Sequence, residues 1–450
     1  MCVILAALSV LGVERAYAQN GAFTAYSPYT MFGIGELQTI GTAQSRSMGG
    51  VGVAWRSTQM PSMANPAGYS ATPRKSFLFS VGAEGNFLQN TQKSYSGDQY
   101  VGLAKNGKNS VNIHEIAIQF PVAKKLGIGL SLMPYSSVGY KMSFLDMRDE
   151  IAGNIGTASY NYFGEGDVTE VKLGVGWEPI KNLSFGIAAK YYWGKITHNF
   201  TSAVENNIVG NGTYHSVVGN DEYAISNFKF QVGVQWNVIS SDKRVMTIGA
   251  TYDYGGSLSP KVTKSLLLNN TYQTEVATEN SVSQMRLPHS VKVGTMYQDS
   301  KFMAAVEYEF QAWSSGNNGH FEELASNRIS VKYVDTHIAK VGFSYTPNRF
   351  DVRNYLKRIS YRVGFRYGNY YQAYNGHNVP EIAVTAGLGF PLKFMGNSSI
   401  DVSLEYGRRG SHALMCDAPK VGMIRQDYFK VGLGFVLFGD DYWFVRQKYD

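Results

Sequence analysis

The chain is poor in most of what catalysis or a helical membrane anchor requires. Its 450 residues include 2 cysteines, 8 histidines and only 17% charged side chains. The histidines are dispersed, with no HExxH and no i, i+4 pair, so a helical metal site has no basis. No GxSxG elbow is present, and no GKS or GKT follows Gly49-Gly50-Val51-Gly52, so that run is not a nucleotide loop. The reading is therefore a protein that is not an enzyme and needs no cofactor or metal. Mean hydropathy is -0.19, and the mature chain has no apolar run long enough to cross a bilayer as a helix. The excess of +7 is scattered, without an arginine-rich arm, which argues against nucleic acid. In an exported protein it would meet anionic lipid head groups or lipopolysaccharide, and a generic solvated surface explains it equally well.

What is abundant points to β structure. Gly reaches 48, Tyr 31 and Phe 24. From about Phe77 to the C-terminus, about fourteen short segments alternate apolar with small or polar residues, each bounded by turn residues. Leu183, Phe185 and Ile187 alternate with Ser184, Gly186 and Ala188, and Ile359, Tyr361 and Val363 with Ser360, Arg362 and Gly364. Alternation alone also fits a soluble sandwich. The links decide: those after the second, fourth, sixth and eighth segments are short, whereas those after the first, third, fifth, seventh and ninth run to roughly 15–25 polar residues, the asymmetry of outer-membrane barrels. The expected fold is an all-β transmembrane antiparallel barrel of about 14 strands. Its apolar face meets lipid, with Tyr191, Trp193, Tyr308, Phe310, Trp313, Tyr370 and Tyr371 as interfacial girdles. The opposite face puts Lys190, Glu307, Glu309, Arg362 and Arg366 into the lumen as a charge network.

The first 18 residues, ending Ala16-Tyr17-Ala18, read as a signal peptide, although no Lys or Arg precedes the apolar run. Cleavage there removes Cys2 and leaves Cys416 alone, so no intramolecular disulfide is expected. Residues 19–74 are too many for a tail and too rich in Gly and Pro for a separate core. They are expected to form a hatch, or plug, inside the lumen of a barrel spanning residues 75–450.

These residues resemble the FadL/TodX-type family of outer-membrane transporters of hydrophobic compounds. SMGGVGVA from Ser47 is similar to the family's Gly-rich hatch, and Asn65-Pro66-Ala67 to its NPA motif. Leu287-Pro288 at the eighth strand is a weaker match. SPYTMFGIG from Ser27, MPYSSVGY from Met133 and the ending YWFVRQKYD resemble the Bacteroidota-type members. The resemblance implies a fourteen-stranded barrel with a ligand path past Met48, Gly49, Gly50, Asn65, Pro66 and Ala67. It also implies a kinked third strand. Here that strand holds Pro134, which lacks the N–H a central strand donates. Pro134 and Tyr135 are the candidate lateral opening, against a bulge that only adjusts curvature. Asn65 is either a latch or a ligand contact.

Two functions follow. One is passive uptake of small hydrophobic molecules, fatty-acid-like or aromatic, leaving laterally near Pro134. The alternative is a non-transporting barrel that docks in an outer-membrane assembly or secretion complex, as relatives with this barrel do. The first expects a greasy pocket between hatch and wall; the second expects an occluded lumen, no lateral gap, and a large apolar or aromatic patch among the loops.

Overall fold

The computed structural model describes residues 26–439, except 75, 97, 147–156, 206–215, 242, 269–271, 276–284, 316–329, 393–397 and 418–419. The expected signal peptide and its cleavage site lie outside the described residues. Fourteen antiparallel strands make the wall: β1 (Phe77–Ser96), β2 (Gln99–Ala123), β3 (Leu126–Asp146), β4 (Thr157–Ile180), β5 (Leu183–Glu205), β6 (Val217–Ser240), β7 (Arg244–Asp253), β8 (His289–Asp299), β9 (Phe302–Ala312), β10 (Thr336–Tyr345), β11 (Ser360–Tyr374), β12 (His377–Pro391), β13 (Ser399–Arg409) and β14 (Ile424–Gly439). Pairing of β1 with β14, from Phe77 opposite Gly439 to Gln92 opposite Ile424, closes the sheet. Closure removes the open edges that lipid could not satisfy.

The period-two pattern sorts as the sequence implies. Leu173, Val175, Phe185, Ile187, Val363 and Phe365 are exposed on the outside, while Lys172, Lys190, Arg362, Arg366 and Asp401 are buried inside. Strands β7 to β10 have 10 or 11 residues, about what a tilted transmembrane strand needs. Strands β1 to β6 have 20 to 25 and so rise well past the bilayer at the long-loop end. This overturns one expectation: the first link is not a long loop, because its residues continue β1 and β2 into a hairpin closing at Ser96 opposite Gln99. The eleventh link is the two-residue turn Asn375-Gly376, both at positive φ (48° and 80°), the backbone that an Asn-Gly pair supplies most readily.

A second expectation fails for a local reason. Trp313, Tyr370 and Tyr371 are not girdle residues but are buried inside, where Trp313 stacks on Tyr371 at 4.3 Å. The register of β11 against β12 shifts between Asn369 and Ala373, so the strict alternation is lost and consecutive tyrosines turn inward. With Tyr29, Phe32, Tyr333 and Tyr374 they form an aromatic core at the long-loop end of the lumen.

An Arg replacing Leu173 on the lipid face should cost about 2–4 kcal/mol if that position lies near the bilayer midplane. Asn109→Arg, on the protruding hairpin, should change stability by less than about 0.5 kcal/mol. Reversible denaturant unfolding in phospholipid vesicles measures both.

Candidate functional site

Residues 26–74 run inside the barrel, and their backbone touches the wall where the wall has no side chains. Gly127, Gly176, Gly186 and Gly233 stand opposite one another on β3, β4, β5 and β6. A Cβ at any of the four would come within 3.0 Å of Asn65, Pro66, Ala67 or Tyr69. Across the lumen, Gly342, Gly364 and Gly387 seat Met48, Gly49 and Ser47 in the same way, and Gly434 seats Ala43. Met48 is fully buried with Val51, Trp55 and Met60 against Met296 and Ala305 of the wall. Gly49 and Gly50 adopt φ of +76° and +82°, which lets the chain turn under the wall.

Asn65 has no exposed surface. Its side-chain oxygen accepts from the Ala67 N–H at 3.0 Å and caps the 3-10 turn Pro66–Ala71. Its amide donates to the carbonyls of Val53 at 2.9 Å and Val234 at 3.1 Å. One side chain therefore ties together the turn, the Gly-rich run and strand β6. Burial of the Tyr69 ring, deep in the same seat, pushes its phenol pKa up.

The charged residues form two networks. Glu307 accepts the N–H groups of Gly52 (2.7 Å) and Val53 (2.9 Å) on one oxygen, while its other oxygen pairs with Lys340 at 3.0 Å. Lys340 also reaches Glu309 at 2.7 Å, and Glu309 pairs with Lys292 at 3.0 Å. Lys190 pairs with Asp253 at 2.6 Å. On the other side, Arg362 holds Asp401 (2.6 Å) and Arg366 holds Glu405 (2.6 Å). Arg409 joins Glu36 of the inner segment (3.2 Å) to Glu381 of β12 (3.0 Å). Between the networks lies a cavity of about 140 Å³ lined by both charged and apolar residues, with Ile40, Gly50 and Ala64 on the segment side and Tyr135 and Tyr371 on the aromatic side.

Sequence reasoning did not single out the wall glutamines. Gln119 takes the Ser62 N–H (2.8 Å) and donates to Thr72 (2.6 Å), Gln235 donates to Val53 (2.9 Å), and Gln372 donates to Phe32 (2.7 Å). Arg46, which pairs with Glu84, and Arg409 were likewise unremarked. For Gln119 and Gln235 the available signal was an uncharged polar residue in the inward phase of a strand.

The third strand carries a break in the wall. Pairing of β2 with β3 runs only from Ala123 opposite Leu126 to Ile116 opposite Leu132. Pro134 faces Thr169 of β4, and Tyr135 is the extra residue of a bulge before Ser136. The Tyr135 ring turns inward onto Tyr192 at 4.8 Å. Beyond Leu132 the side of β3 facing away from β4 is taken by the inner segment. Glu36 and Leu37 pair with Ser137 and Ser136, Gln38 N–H donates to Tyr135 O (2.9 Å), and Ser27 N–H donates to Gly139 O (2.8 Å). Further toward the loops an apolar cleft of about 300 Å³ opens between β2, β3 and Tyr29, Met31 and Phe32. The structure thus brings Pro134 and Tyr135 to the inner segment, but keeps Asn65, Pro66 and Ala67 away from both cavities, apart from the neighbouring Ala64.

Gly364→Val would drive its side chain into the backbone of Met48 and Gly49. It should cost about 1–3 kcal/mol and expose residues 40–72 to limited proteolysis. Asn65→Ala strips a buried cap and should cost about 1–3 kcal/mol, read as a lower unfolding midpoint in micelles.

No curated protein matches the sequence. Among solved structures, a Pseudomonas aeruginosa FadL homologue superposes with a TM-score of 0.59 at 12% identity, covering 90% of this chain and 99% of its own. The Pseudomonas putida toluene transporter TodX gives 0.56 at 15% identity, covering 91% and 100%. The monoaromatic hydrocarbon channel CymD gives 0.52 at 13%, covering 90% and 98%. At these identities the likeness is one of fold, a barrel of the FadL type. Residues 2–450, the whole chain but for its first residue, match the BamG family model, and the chain belongs to the BamG family.

Proposed function

We propose that this protein is an integral barrel of the outer membrane, of the Bacteroidota type, that works as a non-transporting subunit of an outer-membrane protein assembly complex. The carrying observation is that the chain's own residues 27–72 occupy both the lumen and the free side of β3, held there by wall side chains. A route for a solute past Met48, Gly49 and Gly50 would have to unseat backbone from the wall glycines and take two amide bonds from Glu307. The family's name, BamG, is consistent with an assembly partner. In this reading residues 1–18 are the export signal and residues 19–74 a hatch that acts as a permanent core. Asn65 is its latch, and lipid and lipopolysaccharide surround the wall.

A second reading, passive uptake of small hydrophobic molecules, has its own support. The ladder between β2 and β3 ends at Ile116 and Leu132, an apolar cleft lies beyond that end, and proteins of this fold include a toluene transporter. Exit would then run past Pro134 and Tyr135 once the segment lets go of β3.

A disulfide between Leu37→Cys and Ser136→Cys, directly opposed in register, separates the two when built in a Cys416→Ser background. For a subunit, the locked protein should co-purify with envelope assembly proteins at an unchanged ratio from gently solubilised membranes. For a channel, the lock should abolish hydrocarbon uptake, a reductant should restore it, and no stoichiometric partner should appear.

A further inference from the structure

At the short-turn end of the wall, which faces the periplasm in barrels of this kind, one turn is out of scale with its neighbours. Lys124-Lys125 joins β2 to β3, Lys181-Asn182 joins β4 to β5 and Ser300-Lys301 joins β8 to β9, whereas β10 and β11 are joined by residues 346–359. That link is folded. The Asn348 N–H donates to the Lys357 carbonyl at 2.8 Å and closes its base, the Asp351 carboxylate accepts the N–H groups of Arg353 (2.9 Å) and Asn354 (2.8 Å), and the Asn354 side chain accepts from Leu356 (3.0 Å). Yet the link leaves Phe350 86% and Val352 85% exposed, more than any other large apolar side chain among the described residues.

Lipid does not account for these two. The phenol of Tyr361, on the lipid face, donates to the Leu356 carbonyl at 3.1 Å, so the 3-10 turn Tyr355–Arg358 sits at the outer rim. At the other end of the link Arg349 donates to Gln59 of the inner segment, which runs inside the barrel. Phe350 directly follows Arg349 and so stands on the mouth side of the link, away from the rim, where water is the solvent. Large apolar side chains clustered in water mark a recognition surface.

The charge around them indicates the partner's chemistry. The Lys301 carbonyl accepts the Thr346 N–H at 2.8 Å and brings the β8–β9 turn alongside, so Lys301 joins Arg349, Arg353, Lys357 and Arg358. The carboxylates of the two turns are those of Asp299 and Asp351, and both accept backbone N–H groups of their own turns. Among the described residues Lys301, Arg349 and Arg353 have no ion-pair partner. An apolar pair beside such cations is complementary to an apolar pocket rimmed by carboxylates.

We propose that this link docks a folded periplasmic protein, with Phe350 and Val352 entering an apolar pocket and Asp or Glu side chains on the pocket's rim meeting Lys301, Arg349 and Arg353. The inference rests on the subunit reading and specifies where a partner sits. Anionic phospholipid would pair with the same cations but would leave Phe350 and Val352 in water.

The test places a photo-crosslinking benzoylphenylalanine at Phe350 of the full chain in its native membrane. It should give a protein adduct of one mass, and the same protein should co-purify from gently solubilised membranes. Phe350→Ser combined with Val352→Ser removes both apolar anchors and should lower that co-purification at least tenfold. Arg353→Glu should lower it by repulsion, and in both variants the barrel should keep its heat-modifiable mobility, because the altered side chains are exposed. A partner that co-purifies without an adduct at Phe350, and at an unchanged ratio with the double variant, overturns the docking site and leaves the subunit reading standing. Adducts to lipid alone, or to the chain's own residues, also overturn it, making the link a membrane anchor or an internal contact. Absence of both partner and adduct removes the inference together with the reading beneath it.

Discussion

Everything inside this barrel depends on backbone lying directly against wall positions that have no side chain. A sheet of fourteen strands encloses more space than its own inward side chains fill, since about eight strands is the size at which side chains suffice. Residues 43–72 supply the filling, and their peptide groups must find partners in a site from which water is largely displaced. Glycines on β3 to β6 and on β10 to β12 let that backbone approach, while Glu307, Gln119, Gln235 and Asn65 supply hydrogen bonds. Part of the abundance of glycine in the composition is the record of this seat.

The buried charges belong to the same arrangement. Ion pairs removed from water contribute little net stability, because desolvation offsets most of their attraction, but breaking one partner away is costly. Such pairs therefore fix geometry more than they add strength. The series Lys292, Glu309, Lys340 and Glu307 ends on the amides of Gly52 and Val53, so the position of the segment and the pairing of three strands are set together. Displacing the segment would leave Glu307 without two of its partners. That coupling ties the inner segment to the wall.

The wall itself is lopsided, and its lopsidedness directs attention outward. Six long strands rise beyond the bilayer on one side of the barrel, and the ladder between β2 and β3 ends at Ile116 and Leu132. The break does not lead into an empty lumen, because Leu37, Gln38 and Ser27 are bonded along β3. Beyond it lies an apolar cleft lined by Tyr29, Met31 and Phe32 of the inner segment.

How much of this could be read without coordinates follows from the range of the forces involved. Side-chain alternation is a local property, so the barrel, its strand number, its lipid face and the inward placement of Lys190, Glu307, Glu309, Arg362 and Arg366 were legible, as was the lack of N–H at Pro134. The Asn65-Pro66 turn was legible too, since its chemistry is carried by neighbouring residues. Three things were not. Tyr370 and Tyr371 turn inward because of a register shift between two strands, Trp313 stacks on Tyr371 there, and register is a pairwise property. The first link became a hairpin because strand length past the bilayer is set by neighbours rather than by hydrophobicity. The match between Asn65 and Gly233, or Gly49 and Gly364, joins residues more than 150 positions apart. Where the alternation is unbroken, the sequence by itself determined which residues face lipid and which face inward. Only the tertiary structure decided which glycine receives which part of the inner segment, because that choice is made by shape across the lumen.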